Sequence, residues 1–506
     1  MQRDFRANET VPLSPVATPG DLSVTQSPAV ARSAEPSASG PKRIDQRGGH
    51  PGATLYITMI AGVAALGGLL FGFDTGVIAG AMLFIVPAFH LGAAEQGLVV
   101  SAVTFGALFG ALAGGTSSDA IGRRWTNIGA GMSFIAGSVL SAMAPNVDAL
   151  IASRVIIGLA IGLTSVAAPM YIAELSPARS RGKLVSLFQL AITFGILVSY
   201  VVDRGLAPEH AWRWMLGLAF IPGALLVLGM MAMPESPRWL LKTGAEKAAR
   251  QALSLVRSPN EIDAEVQEIR EDLEHNRPAA WTELLMPGLR PALLVGVGLA
   301  VFQQVTGINT IIYYAPQIFQ KAGLDSATTA LAATAGIGVI NVLSTLIAIW
   351  LVDRIGRKPL LLAGLVGMTL SLTALGVAQR FASTIGIDPD TLAPITIGFI
   401  GLYIVCFAFS LGPVVWLMIS EIFPNRARAR AAAISTAANW TANFLVSVSF
   451  PVLQVMFGPS LWFLYAAMGV AAFIFIVGWV PETKGKSLEE ISRQWRTVPA
   501  GIIVRQ

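Results

Sequence analysis

Residues 119–124 read Asp-Ala-Ile-Gly-Arg-Arg, and residues 353–358 read Asp-Arg-Ile-Gly-Arg-Lys. Each hexapeptide follows a long apolar segment, and the second copy comes 234 residues after the first. Two other sets recur at a shift of 247: Glu174, Pro177 and Arg181 with Glu421, Pro424 and Arg428, and Pro234-Glu235 with Pro481-Glu482. Repetition at three corresponding places predicts a chain made of two similar halves.

The composition excludes most soluble proteins. Of the 506 residues, 54% are hydrophobic and only 13% are charged, whereas soluble domains carry about 25% charged residues. A disordered chain needs low hydrophobicity and high charge, so that class is excluded as well. The single cysteine, Cys406, excludes an internal disulfide and any Cys-based metal centre. No ATP-binding loop motif is present either, so we expect no enzymatic activity, no metal and no cofactor.

Apolar segments near the ~20 residues needed to cross about 30 Å of hydrocarbon recur along the chain. They cover residues 54–86, 97–117, 125–144, 148–173, 184–203, 213–233, 291–319, 327–352, 359–379, 393–421, 431–456 and 460–480. The sequence therefore predicts an all-α polytopic membrane protein with about twelve transmembrane helices in two pseudo-symmetric six-helix halves. In parallel repeats of this kind the substrate site is expected near the midplane between the halves.

The predicted organisation has five parts. They are a disordered N-terminal tail over 1–52, a first half over 53–233, a linker over 234–290, a second half over 291–481 and a C-terminal tail over 482–506. The first tail is rich in Pro, Ser, Ala and Gly and is not a signal peptide. In the linker, Leu253, Leu255, Ile262 and Ile269 among mixed charges predict short amphipathic surface helices.

The positive charges predict the orientation. Thirty of the 35 Lys and Arg residues lie in the tails, the linker and the loops on one side, and four lie on the other side. Cytoplasmic loops carry such an excess, so we expect both termini in the cytoplasm and the protein in the plasma membrane. Because the excess is explained by topology, we expect no nucleic-acid partner.

Further motifs lie within the spans or at their ends. They are Gly72-Phe-Asp74-Thr-Gly76-Val, Pro169-Met-Tyr171-Ile-Ala-Glu174, Pro234-Glu-Ser-Pro-Arg238-Trp-Leu, Gln303-Gln304-x-x-Gly307-x-Asn309-x-x-x-Tyr313-Tyr314 and Pro481-Glu-Thr-Lys-Gly485. With Gly115-x-x-x-Asp119-x-x-Gly122-Arg123-Arg124, they make residues 54 to about 490 resemble the major facilitator superfamily, and within it the sugar porter family. The resemblance implies a transporter whose two halves rock around a central site.

Asp74 lies in the middle of the first apolar span. A charge there costs about 2.5–3.5 kcal/mol on insertion scales, so we expect the carboxyl to face a partner or a cavity. The resemblance to proton-coupled family members implies that Asp74 is the coupling carboxylate and Arg154 its partner. An acid that meets and leaves an arginine loads and releases a proton. A structural ion pair is the alternative reading, and passive glucose facilitators commonly have a neutral residue at this place.

Neutral amides in the apolar spans are candidate sugar ligands, because they match a ring of hydroxyls without the desolvation cost of charges. The resemblance places sugar contacts at Gln189, Gln303, Gln304, Asn309, Asn341, Trp416 and Asn439, and Asn443 and Phe71 are added as candidates. For each amide the alternative is hydrogen bonding between helices. The tenth span departs from some relatives at Leu411 and Ala408, so the particular sugar is not predicted.

Two gates are predicted. A cytoplasmic gate is expected from charged residues at the span ends, where Glu174 with Arg181 and Glu421 with Arg428 lie beside Asp119 with Arg123 and Asp353 with Arg357. In the outward-open state we expect these residues to form pairs between helices that close this side. The alternative is that the arginines act in topology alone. Tyr313 and Tyr314, near the outer end of the seventh span, are predicted to gate the sugar from outside or to anchor the chain at the membrane interface.

The sequence thus predicts a secondary active transporter that imports a monosaccharide or polyol with a proton by alternating access. We expect it to work as a monomer in the lipid bilayer. The alternative is an uncoupled sugar facilitator. A sugar sensor is disfavoured by the short C-terminal tail, and drug export by proton antiport is disfavoured by the paired amides.

Overall fold

The structure is a computed structural model that describes residues 51–177, 180–275, 281–286 and 289–484. Within those ranges the regular structure is helical, without a strand. The predicted N-terminal tail lies outside the described residues up to residue 50, and its last two residues belong to the first helix. Residues 485–506 of the predicted C-terminal tail also lie outside them.

The helices follow the predicted order of two halves and a linker. The first half contains α1 Pro51–Phe89, α2 Ala93–Ile121, α3 Arg123–Ala142, α4 Val147–Leu175, α5 Arg181–Leu206, α6 Trp212–Gly217 and α7 Phe220–Ala232. The linker contains α8 Pro237–Lys242, α9 Glu246–Ser254, α10 Pro259–His275 and a 3-10 turn, Trp281–Leu285. The second half contains α11 Arg290–Val305, α12 Ile308–Lys321, α13 Ala327–Ile355, α14 Arg357–Arg380, α15 Pro389–Ala408, α16 Leu411–Glu421, α17 Asn425–Phe457 and α18 Leu461–Trp479.

These helices make up the twelve predicted spans. By length and composition, ten stretches of the described residues can cross a membrane, and the last of them, Ala427–Trp479, contains both α17 and α18. The remaining span is α3, which is less apolar because it begins with two arginines and carries Asn127. Three spans are each built from two helices: α6 with α7, α11 with α12, and α15 with α16.

Two of the breaks have a visible cause. The seventh span breaks at Gly307, whose φ of 93° lies in the left-handed region that a residue without a Cβ adopts without strain. The tenth span breaks at Phe409 and Ser410, and Pro413 is the third residue of α16. A proline is tolerated there because N–H groups of the first turn have no partner within the helix.

Glycines bring pairs of helices into backbone contact in the first half. On α1, Gly68, Gly72, Gly76 and Gly80 recur every four residues and face α5. A Cβ at Gly72 would lie 1.9 Å from the backbone oxygen of Ile192. Spacing of this kind forms one face of a helix and permits the close approach typical of membrane helices. On α2, a Cβ at Gly106 would likewise lie 2.2 Å from the backbone oxygen of Val155 on α4. The pairs α1–α5 and α2–α4 are therefore closely packed within this half.

The linker docks on the first half. The predicted amphipathic stretch forms α9 and α10. Leu253 of α9 is buried, whereas Leu255, which follows α9, is exposed. Arg257 pairs with Glu265 at 2.6 Å and donates to the backbone oxygen of Leu175 at 3.1 Å, at the end of α4. The linker therefore contacts the end of the bundle where α2, α4, α13 and α16 end. We call it the arginine-rich end, and the other is the opposite end.

Candidate functional site

A buried ion pair joins the first and fourth spans. Asp74 of α1 and Arg154 of α4 expose only 3% and 1% of their surface. Arg154 Nη1 lies 3.5 Å from Asp74 Oδ1, and Nη2 lies 3.4 Å from Oδ2, while Nε donates to the backbone oxygen of Val99 at 2.9 Å. Both separations exceed the 2.7–2.9 Å or so of a strong charge-assisted bond. The structure thus brings the two predicted partners together in a loose two-pronged pair.

Four of the predicted sugar ligands form one hydrogen-bonded group in the second half. We call Gln303 and Gln304 of α11, Asn309 of α12 and Asn439 of α17 the amide cluster. Gln303 Oε1 accepts from Gln304 Nε2 at 3.3 Å and from Asn439 Nδ2 at 2.7 Å. Gln304 Nε2 also donates to Asn439 Oδ1 at 3.2 Å, and Gln304 Oε1 accepts from Asn309 Nδ2 at 2.6 Å.

The broken seventh span makes this cluster possible. The break at Gly307 lies between Gln304 and Asn309, so the chain turns and Asn309 reaches back to a residue five positions earlier. The cluster is also tied to the broken tenth span, because Gln303 Nε2 donates to the backbone oxygen of Leu411 at 2.8 Å. Side chains from three separate helices are thus held around two helix breaks.

The amide cluster is neutral and internally paired. A buried donor or acceptor left unpaired costs about 1–3 kcal/mol, and the mutual hydrogen bonds avoid that cost. A hydroxyl both donates and accepts, so it can replace one amide–amide bond by two bonds of its own. This arrangement suits a neutral polyhydroxy ligand and provides no charge for an ionic one.

The other predicted sugar ligands are placed less closely. Asn443 lies one turn beyond the cluster on α17, and its Oδ1 accepts from Ser447. The ring of Phe71 lies 5.4 Å from that of Trp440, whose buried Nε1 makes no hydrogen bond within the described residues. Three further candidates make no side-chain hydrogen bond to the cluster in the part of the chain that the structure describes, namely Gln189, Asn341 and Trp416.

At the opposite end the two halves are in contact. Tyr200 of α5 donates to the backbone oxygen of Ile312 on α12 at 2.9 Å. The hydroxyl of Tyr313 interacts with the side chains of Thr75 on α1 and Asn443 on α17. Tyr314 donates to the backbone oxygen of Ser447 at 3.2 Å. Both predicted gate tyrosines are buried, so this end is closed in the structure.

At the arginine-rich end the charges pair within each half. In the first half Arg123 Nη2 lies 3.0 Å from Glu174 Oε1, and Nη1 lies 3.2 Å from Asp119 Oδ1. In the second half Arg357 Nη2 lies 2.9 Å from Glu421 Oε1. Among the ion pairs described at this end, none joins the two halves.

The remaining members of the predicted cytoplasmic gate take no part in these pairs. Arg181 is exposed and makes no ion pair within the described residues, and Arg428 donates to the backbone oxygen of Phe423 at 3.2 Å. The acids thus pair with the arginines that begin α3 and α14 rather than with Arg181 and Arg428. The side chain of Asp353 lies outside what the structure describes.

Two acids at this end were missed as functional residues, although their repeat was noted. Glu235 accepts from the backbone N–H groups of Arg123 and Arg124 at 3.0 and 3.1 Å, at the start of α3. Glu482 accepts from those of Arg357 and Lys358 at 3.1 and 2.9 Å, at the start of α14. The repeated spacing from Gly-Arg to Pro-Glu was the available signal, because a carboxylate favours the positive end of a helix.

The two carboxyls differ in pKa. Burial raises the pKa of Glu235, and the hydrogen bonds from Ser236, Arg124 and Arg123 offset this only in part. Burial also acts to raise the pKa of Glu482, but hydrogen bonds from four backbone N–H groups outweigh it, so this pKa is lowered. Glu235 and Glu482 thus occupy equivalent positions at the starts of α3 and α14, but their pKa values shift in opposite directions.

The chain matches known proteins over most of its length. The family model described as sugar (and other) transporter matches residues 60–495. The glucose transporter GlcP of Staphylococcus epidermidis is 43% identical over 445 residues, which are 88% of this chain and 98% of that protein. The galactose-proton symporter of Escherichia coli is 42% identical over 433 residues, which are 85% of this chain and 92% of that protein.

The fold also matches solved structures. The inward-open structure of the xylose transporter XylE from E. coli has a TM-score of 0.75 and 36% sequence identity, and the match covers 87% of this chain and all of that one. The major facilitator superfamily proton:xylose symporter XylE bound to 6-bromo-6-deoxy-D-glucose gives a TM-score of 0.74, 37% identity and coverage of 88% of this chain and all of that one.

Proposed function

The chain belongs to the sugar transporter family of the major facilitator superfamily, and from this premise we propose that it imports a monosaccharide or polyol together with a proton by alternating access. The family consists of transporters, so its members move their substrates without changing them. The relatives named for galactose–proton symport and for proton:xylose symport support coupling to a proton. An uncoupled facilitator is the less favoured alternative.

The buried Asp74–Arg154 pair is the observation that carries the proposal. A carboxylate held by an arginine keeps its charge, and one that loses this partner in an apolar site takes up a proton. The separations of 3.4 and 3.5 Å leave the pair loose enough to part when α1 shifts relative to α4. We assign proton coupling to this pair.

We assign sugar binding to the second half, around the amide cluster. The proposed ligands beyond the cluster are Gln189, Asn341, Asn443, Phe71 and Trp416. They lie on α5, α13, α17, α1 and α16, so a sugar among them would contact both halves. Rocking of the halves then changes which side of the membrane the site faces.

The closed opposite end fits one stage of this cycle. We propose that Tyr313 and Tyr314 form the extracellular gate. We propose that the charged residues of the arginine-rich end, which pair within each half here, form the cytoplasmic gate when this end closes in the outward-open state. This assignment follows the charge distribution, which favours a cytoplasmic location for both termini in a cell membrane. We propose that a single chain in the bilayer completes the cycle, because each half contributes its own part of the site.

Uptake into proteoliposomes tests the coupling. Labelled hexoses, pentoses and inositols are offered to the reconstituted protein with and without an inward proton gradient. We expect accumulation of one of them above equilibrium only with the gradient. Asp74→Asn should abolish this accumulation while sugar exchange at equal pH continues, because the amide still accepts from Arg154 but cannot cycle a proton.

Two further variants are compared with Asp74→Asn in the same assay. Asp148→Asn is the matched control, because Asp148 is an exposed acid on the same helix as Arg154, and this variant should accumulate sugar like the wild type. Asn309→Ala removes one amide from the cluster, and loss of one hydrogen bond of about 0.5–1.5 kcal/mol should weaken sugar binding roughly 2- to 13-fold. Accumulation by the Asp74→Asn protein would contradict the assignment of coupling.

A further inference from the structure

A second buried acid lies in the spans of the first half. Asp203 lies three residues before the end of α5, at the opposite end of the bundle, and none of its surface is exposed. Neither Oδ1 nor Oδ2 has a hydrogen-bond partner within the described residues. An ionisable group at such a place is by default a candidate for function, since its burial is expensive.

A glycine on the neighbouring helix leaves the space that this carboxyl occupies. A Cβ at Gly80 of α1 would lie 2.4 Å from Asp203 Oδ2 and 2.5 Å from Cγ, so the carboxyl occupies the room that a side chain at residue 80 would fill. Gly80 is the last of the four glycines that hold α1 against α5. The backbone N–H of Gly80 also lies near the carboxyl, but as a helical N–H it bonds within α1.

No charged side chain among the described residues acts on this carboxyl. On α5 the neighbours are Tyr200, which interacts with it, and Arg204, which is exposed. Toward the opposite end, the adjoining elements carry these titratable groups: Asp74 on α1 and exposed His90 after it, Arg154 and Asp148 on α4, exposed Glu209 and His210 after α5, exposed Arg213 on α6, and Tyr313, Tyr314 and exposed Lys321 on α12. Tyr56 of α1 and Tyr171 and Glu174 of α4 lie toward the arginine-rich end. On α13 the residues from 327 to 352 include none.

An ionised carboxylate is not stable in this environment. Removing an unpaired charge from water costs many kcal/mol, and such a group becomes neutral instead. Asp74 has Arg154 to hold its charge, whereas Asp203 has no cation. The two acids are also separate sites, because Gly80 lies six residues beyond Asp74 on α1, which is about 9 Å along a helix.

Asp203 is next to a contact that must break when the opposite end opens. Tyr200, one turn earlier on α5, donates to the backbone oxygen of Ile312 in the other half. We propose that Asp203 is a second proton-binding carboxyl, which water reaches when this contact breaks and which must hold a proton before the opposite end closes. The proposal rests on the alternating access proposed above and adds a proton site apart from Asp74.

A proton on Asp203 should make closure of the opposite end depend on the external pH. Closing the opposite end over an ionised Asp203 is unfavourable, so an alkaline external medium should slow the closing step. A neutral residue at this position removes that requirement. Sugar exchange by Asp203→Asn should therefore fall less steeply than that of the wild type as the external pH rises.

Infrared difference spectroscopy of the full-length purified protein tests proton binding directly. Spectra are recorded against pH for the wild type, for Asp74→Asn, and for Asp203→Asn and Asp203→Ala each made in the Asp74→Asn protein, so that Asp74 contributes no band. We expect a protonated-carboxyl C=O band that persists in the Asp74→Asn protein and disappears when either Asp203 substitution is added. Asp203→Ala adds no volume beside Gly80, so it serves where the asparagine variant does not fold.

The outcomes separate this proposal from the proposed function. Absence of the band from the Asp74→Asn protein, or its persistence in a folded Asp203 variant, overturns the assignment to Asp203. An unchanged pH profile of sugar exchange in Asp203→Asn overturns its part in closure. Sugar accumulation by Asp74→Asn would instead contradict coupling through Asp74, and the band would still decide whether Asp203 holds a proton.

Discussion

Gly72→Ala should destabilise the first half and weaken coupling, although the new group is a single methyl. A Cβ at this position would lie 1.9 Å from the backbone oxygen of Ile192, 2.7 Å from its carbonyl carbon and 3.0 Å from its Cα. These are backbone atoms of α5, which cannot turn away as a flexible side chain can. Ordinary contact begins at 3.4 Å, so α1 and α5 must separate by about 1.5 Å at this point.

The magnitude follows from two opposing effects. Overpacking costs about 1–3 kcal/mol, whereas replacing glycine by alanine inside a helix contributes up to about 1 kcal/mol of stability. Gly62 provides the matched control on the same helix, because a Cβ there meets nothing within 4 Å. Gly62→Ala should therefore be neutral or slightly stabilising. Because both variants gain the same helix propensity, they should differ by the overpacking cost alone, about 1–3 kcal/mol in the free energy of unfolding.

The functional effect comes from Asp74, two residues further along α1. Its carboxylate lies 3.4 Å from Arg154, and a displacement of α1 by about 1.5 Å would disturb the geometry of this pair. The assays are unfolding in detergent followed by tryptophan fluorescence, and sugar accumulation in proteoliposomes. If Gly72→Ala matched Gly62→Ala in both, the close packing of α1 on α5 would have no bearing on stability or coupling.

The arginine-rich end gives the remaining predictions. Arg123→Gln should lower the free energy of unfolding by about 3–5 kcal/mol, because it leaves a partly buried acid unpaired; Arg357→Gln should cost less, since its pair is more exposed. The pKa of Glu482 is lowered from its ordinary value of 4.5, so this carboxylate stabilises the fold above that pH and loses its contribution as the pH falls. Glu482→Gln should therefore lower the melting temperature more at neutral than at acidic pH. The pKa of Glu235 is raised by burial, so this carboxyl contributes stability at acidic pH and loses that contribution as the pH rises. Glu235→Gln should therefore lower the melting temperature more at acidic than at neutral pH. The same pH trend in both variants would contradict the opposite pKa shifts of the two carboxyls.

The spans could be predicted because apolar length alone decides them, but the breaks within them could not. Pro222 is the third residue of α7 and Pro413 the third of α16, each just after a break. Proline alone is not a sufficient signal, because Pro169, Pro316 and Pro451 lie inside continuous helices. Whether a helix ends before a proline depends on whether its neighbours can bond the freed backbone groups, and a single sequence does not contain that information.

The candidate site was predicted best where a polar residue lies deep in an apolar span. Asp74, Arg154 and the amides stand out for that reason. Asp203 did not, because the predicted span ends at that residue, where an acid next to Arg204 reads as exposed. The helix continues to Leu206 and Gly80 covers the carboxyl, a contact between residues 123 positions apart.

The two halves carry equivalent helix caps at the arginine-rich end, but their buried polar groups at the centre differ. The caps Glu235 and Glu482 are duplicated because both halves must fix the start of a helix after the same sharp glycine turn. The buried ion pair belongs to the first half, and the amide cluster belongs to the second. If proton and sugar bind where we propose, their coupling must cross between the halves. In the closed structure Tyr313 makes such a contact, because it interacts with Thr75, the neighbour of Asp74, and with Asn443, one turn from the cluster. If Asp74 and Tyr313 have the roles we propose, a change in the charge of Asp74 acts directly on the tyrosine that closes the opposite end, because the two residues interact.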